Sequence, residues 1–263
     1  MRWPHPARIS ARALRVWQRN YSVYRKTWAI SFIPPLFEPL LYVLAFGMGL
    51  AVMVGDLQLA GRSIPYTTFI APALVSVAVM YNAFFETTYN SFVRMYYQKT
   101  FDALLATPLN LEEIILGEIL WAATKAVIAT ALMGAVLALC GLFSFPGALL
   151  LLPLAVLGGL FFAGLGMICT ALSPGIETFN LPTFLFIMPM FLFSGTFFPL
   201  QNLPGWAQGV AQVLPLTHLV LLARGCALHL WSAALWTSLL YLLAGTLVAL
   251  PVAIALMVRR IVR

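Results

Sequence analysis

The chain has 263 residues, of which 62% are hydrophobic and 9% charged, with a mean hydropathy of +0.94. A soluble domain carries about 25% charged residues, so this composition excludes a water-covered globule, and the apolar residues fall in long blocks that a soluble core does not need. The net charge of +7 would suggest nucleic acid in a soluble protein; in a membrane protein its placement sets orientation, and no nucleic-acid partner is expected.

Residues 1–28 are polar and basic. They do not read as a cleaved signal, because the first apolar block starts late and no small-residue cleavage site closes it. On a helical wheel Arg8, Arg12, Arg15, Arg19 and Lys26 fall within an arc of about 60°. Ile9, Ala13, Val16, Trp17, Tyr21, Tyr24 and Trp28 cluster opposite. That pattern suits a helix lying in the membrane interface, basic face towards headgroups or an acidic partner. A topogenic basic segment that happens to be helical has the same pattern.

Apolar blocks follow at 29–54, 66–93, 119–142, 147–172, 178–199 and 232–258. Each holds about 20 residues or more, enough to cross roughly 30 Å of hydrocarbon. The predicted architecture is therefore all-α and polytopic, with six spans in a single membrane unit over 29–263. A weaker stretch at 203–228 is broken by Pro204, Gly205, Pro215 and Gly225 and carries His218 and Arg224; it reads as short helices lying in or dipping into the membrane. Thirteen basic residues, among them Arg94, Lys99, Lys125, Arg259 and Arg260, fall on one side with the N-terminal segment, against Arg62 and Arg224 on the other. The positive-inside rule then places both termini in the cytoplasm.

Charges inside spans are costly and so informative. Glu38, Glu86 and Lys125 reach a similar depth, roughly 10–15 Å from the inner face at 1.5 Å per residue. They suit either a Glu–Lys pair that removes an uncompensated charge or a polar lining near an inner gate. Pro34, Pro35 and Pro39 surround Glu38, so the first span is expected to be bent or broken there. Small residues at every fourth position, Ala122, Ala126, Thr130, Gly134 and Ala138, with Gly159, Ala163 and Gly166 in the next span, allow close helix approach.

The loop at 94–118 is the largest between spans. Residues 98–106 suit a short amphipathic helix, stopped by Thr107-Pro108, after which Asn110 suits an N-cap with Glu112 and Glu113 in the first turn. Such a helix could be a docking peg for a soluble partner or an ordinary linker. In the first case Phe101, Leu104 and Leu105 would fill a cleft, and Gln98, Lys99, Thr100 and Asp102 would fix register.

Motifs for chemistry are absent from the sequence. No lysine (Lys26, Lys99, Lys125) sits in G-x-x-x-x-G-K-[ST], so no ATPase site is expected in this chain. There is no H-E-x-x-H or G-x-S-x-G. Cys140, Cys169 and Cys226 have neither disulfide nor metal-ligand spacing. His218 reads as a turn or interface residue.

At Trp17–Lys26, Phe85–Tyr89, Phe92–Met95, Leu116–Ala126, Thr107-Pro108, Phe193–Pro199 with Leu203-Pro204, and Leu214–His218, the chain resembles the type-2 permeases of ABC exporters. Within them it looks most like the Nod-factor, or lipo-chitooligosaccharide, export branch. The resemblance implies a permease with an N-terminal interfacial helix, a coupling helix between spans two and three, and short outer re-entrant helices before span six. It also implies pairing with a second permease, identical or paralogous, and with two ATPase subunits that bind ATP and Mg. The cargo would be an amphipathic lipo-oligosaccharide, polysaccharide or glycolipid, exported across a bacterial inner membrane. Glu38 stands where that branch tends to carry Asp, which leaves the substrate open. A drug-efflux permease of the same fold is the alternative. A secondary transporter would want an inverted repeat and midplane charges, and neither is evident.

Overall fold

The computed structural model describes residues 10–28, 33, 37, 41, 42, 44–59, 61–142 and 145–262. Much of the predicted first span, with Glu38 and its three prolines, lies outside them, as does Arg8 of the basic face. The chain is an all-α membrane protein with one small hairpin. Helix α1 spans Ala13–Lys26. A π-wound stretch, Ala45–Leu50, runs on into α2, Ala51–Val54, which stops at Gly55 with φ of 67°. The hairpin follows: β1, Asp56–Leu59, pairs antiparallel with β2, Arg62–Pro65, setting Leu57 opposite Ile64.

Helix α3, Tyr66–Phe85, continues through two π-wound segments, Glu86–Asn90 and Val93–Tyr97, as one rod of 32 residues. Then come α4, Thr100–Leu105; α5, Leu111–Leu139; and α6, Phe145–Leu172. The rod α7, Ile176–Phe193, mixes 3₁₀, α and π winding. Helices α8, Gly205–Val213, and α9, Pro215–Ala227, meet at 86°, and α10 covers Ala233–Ile261. Among the described residues five helices are long and apolar enough to cross a membrane: the α3 rod, α5, α6, α7 and α10. They correspond to the last five predicted spans. The 86° break lies in the segment whose prolines predicted short helices, because Pro215 cannot donate to a continuing helix.

One boundary around the second loop differs from the sequence reading, and the other follows the predicted N-cap at Asn110. Helix persists to Tyr97, past the expected loop start at Arg94, because Arg94 is drawn into the bundle by carboxylates described below. Helix α5 begins at Leu111, well before its apolar block, because Asn110 and Glu113 cap each other's backbone in a capping box. Both helices therefore extend beyond hydrocarbon on the α4 side.

Helix α6 lies at the centre, packed against α3, α5 and α10. The small-residue stripes are what let it in. A Cβ on Gly159 would stand 3.0 Å from Ala123 Cα, and one on Gly166 would meet Thr87 Oγ1 and the Phe84 carbonyl at 2.8 Å. In lipid, where helices gain nothing from leaving water, such close backbone approach is the main source of association. The stripes of α5 and α6 thus serve contacts within the chain.

Candidate functional site

The α4 end of the bundle holds a buried charge network. Glu86 opens the first π segment, where the winding turns its carboxylate inward, and it is 2% exposed. Lys125 Nζ of α5 lies 2.8 Å from Glu86 Oε2, and Arg94 Nη1 lies 2.8 Å from Oε1. Arg94 also reaches Glu118, with Nε at 2.8 Å and Nη2 at 2.5 Å from Oε2. Glu118 is fully buried. Neutral donors complete both carboxylates. Trp121 Nε1 (3.1 Å) and Asn90 Nδ2 (2.6 Å) donate to Glu86, and Ser91 Oγ (3.0 Å) and Asn20 Nδ2 (2.7 Å) donate to Glu118.

Two cations thus face two carboxylates, and Arg94 is the bridge. A planar guanidinium can serve two acceptors at once, which a lysine ammonium cannot do with the same rigidity. A cavity of about 200 Å³ opens beside the network, lined by Arg19, Tyr24, Glu86, Arg94, Trp121 and Lys125 among others. The sequence reading placed Glu86 and Lys125 at one depth, and the structure sets them in contact. It missed Arg94 and Glu118, which it assigned to the loop. The available signal was spacing: Arg94 follows Glu86 by eight residues and Glu118 precedes Lys125 by seven, and about two helical turns put each pair on one face.

Helix α1 is the third wall. Ala13, Val16 and Asn20 are buried against α5, Trp17 Nε1 donates to Thr124 Oγ1 at 2.8 Å, and Tyr24 packs edge-on against Trp121. The expected apolar face is therefore split: Val16 packs on protein, while Tyr21 and Trp28 remain exposed. Of the expected basic face, Arg12, Arg15 and Lys26 are exposed. Arg19 instead turns inward, donating from Nη1 to Asn20 Oδ1 at 3.0 Å and from Nη2 to Thr100 Oγ1 at 3.3 Å. Burial lowers the pKa of this guanidinium, with neighbouring Glu118 opposing the shift. The seat for α1 is Gly117, where a Cβ would stand 2.6 Å from Val16 Cβ and 2.8 Å from the Ala13 carbonyl. Gly117→Val should force α1 off α5. A loss of about 1–3 kcal/mol from overpacking is expected, and proteolysis within α1 should accelerate in the purified protein; an unchanged cleavage rate would refute this seat.

The predicted short helix is present but shorter, six residues, and entered through Lys99 at φ of 53°. Thr107 Oγ1 donates to the Leu104 carbonyl at 2.6 Å, and Arg12 Nη1 donates to the Pro108 carbonyl at 2.8 Å. Ser10 donates to Glu113 through Oγ at 2.5 Å, so α1 also holds the turn after α4. One expectation is corrected here. Phe101 is 1% exposed and packs into the chain's own core with Phe92, Met95 and Leu111, so it cannot fill a partner's cleft. Thr100 is buried as well. Leu104 is half-buried, while Gln98, Lys99, Asp102, Leu105, Thr107 and Pro108 remain exposed. A six-residue helix cannot hold its own angle, and Phe101 supplies the anchor.

At the opposite end, His218 contacts Ser238 Oγ at 3.1 Å and the Gln212 carbonyl at 2.9 Å and stacks on Tyr241, an interhelical role as expected.

The family model described as ABC-2 type transporter matches residues 13–228. "Nodulation protein J" of Sinorhizobium fredii is 39% identical over 226 residues, covering 82% of this chain and 85% of its own. "Nodulation protein J" of Rhizobium leguminosarum bv. trifolii is 43% identical over 211 residues, covering 80% and 79%. "Inner membrane transport permease YadH" of Escherichia coli is 23% identical over 206 residues, covering 78% of each. The matched region takes in α1, the charge network, α4 and the α8–α9 break together, and the chain belongs to the ABC-2 type transporter family.

Proposed function

We propose that this chain is the membrane-spanning subunit of an ATP-driven exporter that moves an amphipathic lipo-oligosaccharide outward across the bacterial inner membrane, with both termini cytoplasmic. The observation that carries the reading is α4: a short helix with one exposed face, anchored by Phe101 and Arg12 to helices that share a buried charge network. Motion imposed on such a helix passes to α1, α3 and α5 together rather than dissipating in a loop. The sequence has no phosphate-binding loop, so ATP and Mg²⁺ would be held by a separate ATPase, two copies of which would engage two permeases. A second copy of this chain, or a paralogue, would cover part of the exposed apolar face of α7, where Leu181, Phe184 and Leu185 are unpacked. The similarity to proteins named nodulation protein J favours a lipo-oligosaccharide cargo over a drug, the second reading.

Copurification with a candidate ATPase, reconstitution in vesicles and ATP hydrolysis with and without lipo-oligosaccharide test this directly. Stimulation by the lipo-oligosaccharide and none by hydrophobic drugs is expected; the reverse would assign the chain to drug efflux. The thirteen-to-two basic asymmetry predicts that cysteines placed at 56–65 are labelled from outside and those at 98–108 only after permeabilisation. A labelling pattern of the opposite sense would overturn the orientation.

A further inference from the structure

The side of the bundle away from α4 holds another buried cation. Arg224 of α9 is 6% exposed. Its Nε donates to the Phe69 carbonyl at 3.2 Å, its Nη2 to the Gly195 carbonyl at 2.6 Å and the Thr196 carbonyl at 3.3 Å, and its guanidinium carbon lies 3.7 Å from the centre of the Phe69 ring. These are dipoles and a ring face, not counter-charges. Among the described residues Arg224 makes no ion pair, whereas Arg94 has two carboxylates at the other end. Its Nη1 has no protein partner among them either. Arginine does not shed its proton to escape this situation, so the charge persists and calls for an anion.

A cavity of about 390 Å³ opens beside the guanidinium. Its wall is of two kinds. Phe69, Leu235 and the exposed Trp231 give an apolar side, and Gln201, Arg224 and Ser232 a polar one. Ser232 is the N-cap of the 29-residue α10 and makes no side-chain cap bond, so the positive end of that helix also faces this region. Exposed tryptophans such as Trp206 and Trp231 are characteristic of the headgroup level of a membrane. A buried guanidinium, a helix start and an apolar wall at that level match an anionic group borne on an acyl chain.

We propose that this cavity binds the phosphate of a membrane phospholipid headgroup, with the guanidinium of Arg224 as its counter-charge and the Trp231 side against the upper acyl chain. A guanidinium fork matches phosphate oxygens. The site depends on neither cargo nor ATPase, so it stands or falls separately from the transport reading.

The test is thermal unfolding and native mass spectrometry of the purified chain in detergent, titrated with dioleoyl phosphatidylglycerol, dioleoylglycerol or inorganic phosphate. Phosphatidylglycerol should raise the midpoint and remain bound; dioleoylglycerol, with the same chains and no phosphate, and free phosphate should do neither. Because Arg224→Gln also removes the bonds to Gly195 and Thr196 and could unfold the chain, the informative variant is Ser232→Glu. A carboxylate there favours the start of α10, so folding is retained, and it supplies Arg224 with a fixed counter-charge. Its apparent affinity for phosphatidylglycerol should fall about tenfold or more, the worth of a charge-assisted hydrogen bond. An unchanged response in Ser232→Glu would overturn the site. So would equal stabilisation by dioleoylglycerol, which would make it an apolar groove, or by inorganic phosphate, which would make it a site for a soluble anion.

Discussion

Arg94→Met is expected to be the most destabilising single substitution within the charge network, costing about 3–5 kcal/mol, the range for breaking a buried ion pair from one side. The reason is its double engagement. Without Arg94, Glu118 keeps only the neutral hydrogen-bond donors Asn20 and Ser91, with Arg19 near but not bonded to it, and Glu86 keeps Lys125 alone as a paired cation. Lys125→Met is milder by construction, because Glu86 retains Arg94 along with Trp121 and Asn90. Adding Glu118→Gln to Arg94→Met should recover part of the loss, since an amide needs no counter-charge. Thermal unfolding of the three purified variants in one detergent checks the order. If Arg94→Met unfolds no earlier than Lys125→Met, or the double variant is worse than Arg94→Met, the bridge does not carry the network.

That network also marks what could and could not be read from residues alone. The last five spans, the capped start of α5, the short helix α4 and the broken segment before α10 were legible because each is a local rule: apolar length, an Asn N-cap with acidic residues in the first turn, a Thr-Pro stop, clustered prolines. The depth match of Glu86 and Lys125 was legible for the same reason, since rise per residue is fixed. Arg94 and Glu118 were not, because hydropathy assigns the edges of a span to water, and only tertiary packing shows that α1 roofs this edge and makes it an interior. Asn20, whose sequence context resembles a chance glycosylation motif, donates to Glu118 from that roof. The orientation of Phe101 was hidden likewise: in a six-residue helix every apolar side chain could face either the bundle or a partner, and the pattern does not say which. The counter-charge question at Arg224 arises only when its surroundings are seen.

The second large effect separates those two roles within α4. Leu105→Asp is expected to leave the permease folded and inserted while abolishing transport and lowering retention of the ATPase by roughly thirtyfold, the equivalent of a hot-spot loss near 2 kcal/mol. Leu105 is 39% exposed and makes no demand on the core, so an aspartate there would meet water in the free permease and a desolvated cleft in the proposed complex. Phe101→Ala should behave in the opposite way. Removing a fully buried ring from the cluster with Phe92, Met95 and Leu111 costs about 3–5 kcal/mol of stability, while in the protein that stays folded the Arg12–Pro108 and Thr107–Leu104 bonds still hold α4. The two variants are distinguished by measuring unfolding, ATPase copurification and transport on the same preparations. Leu105→Asp should fail only in the last two, and Phe101→Ala should unfold early and recover ATPase binding when assayed well below its lowered midpoint. A Leu105→Asp permease that still binds and transports would mean that α4 is a linker, and that force enters the bundle elsewhere.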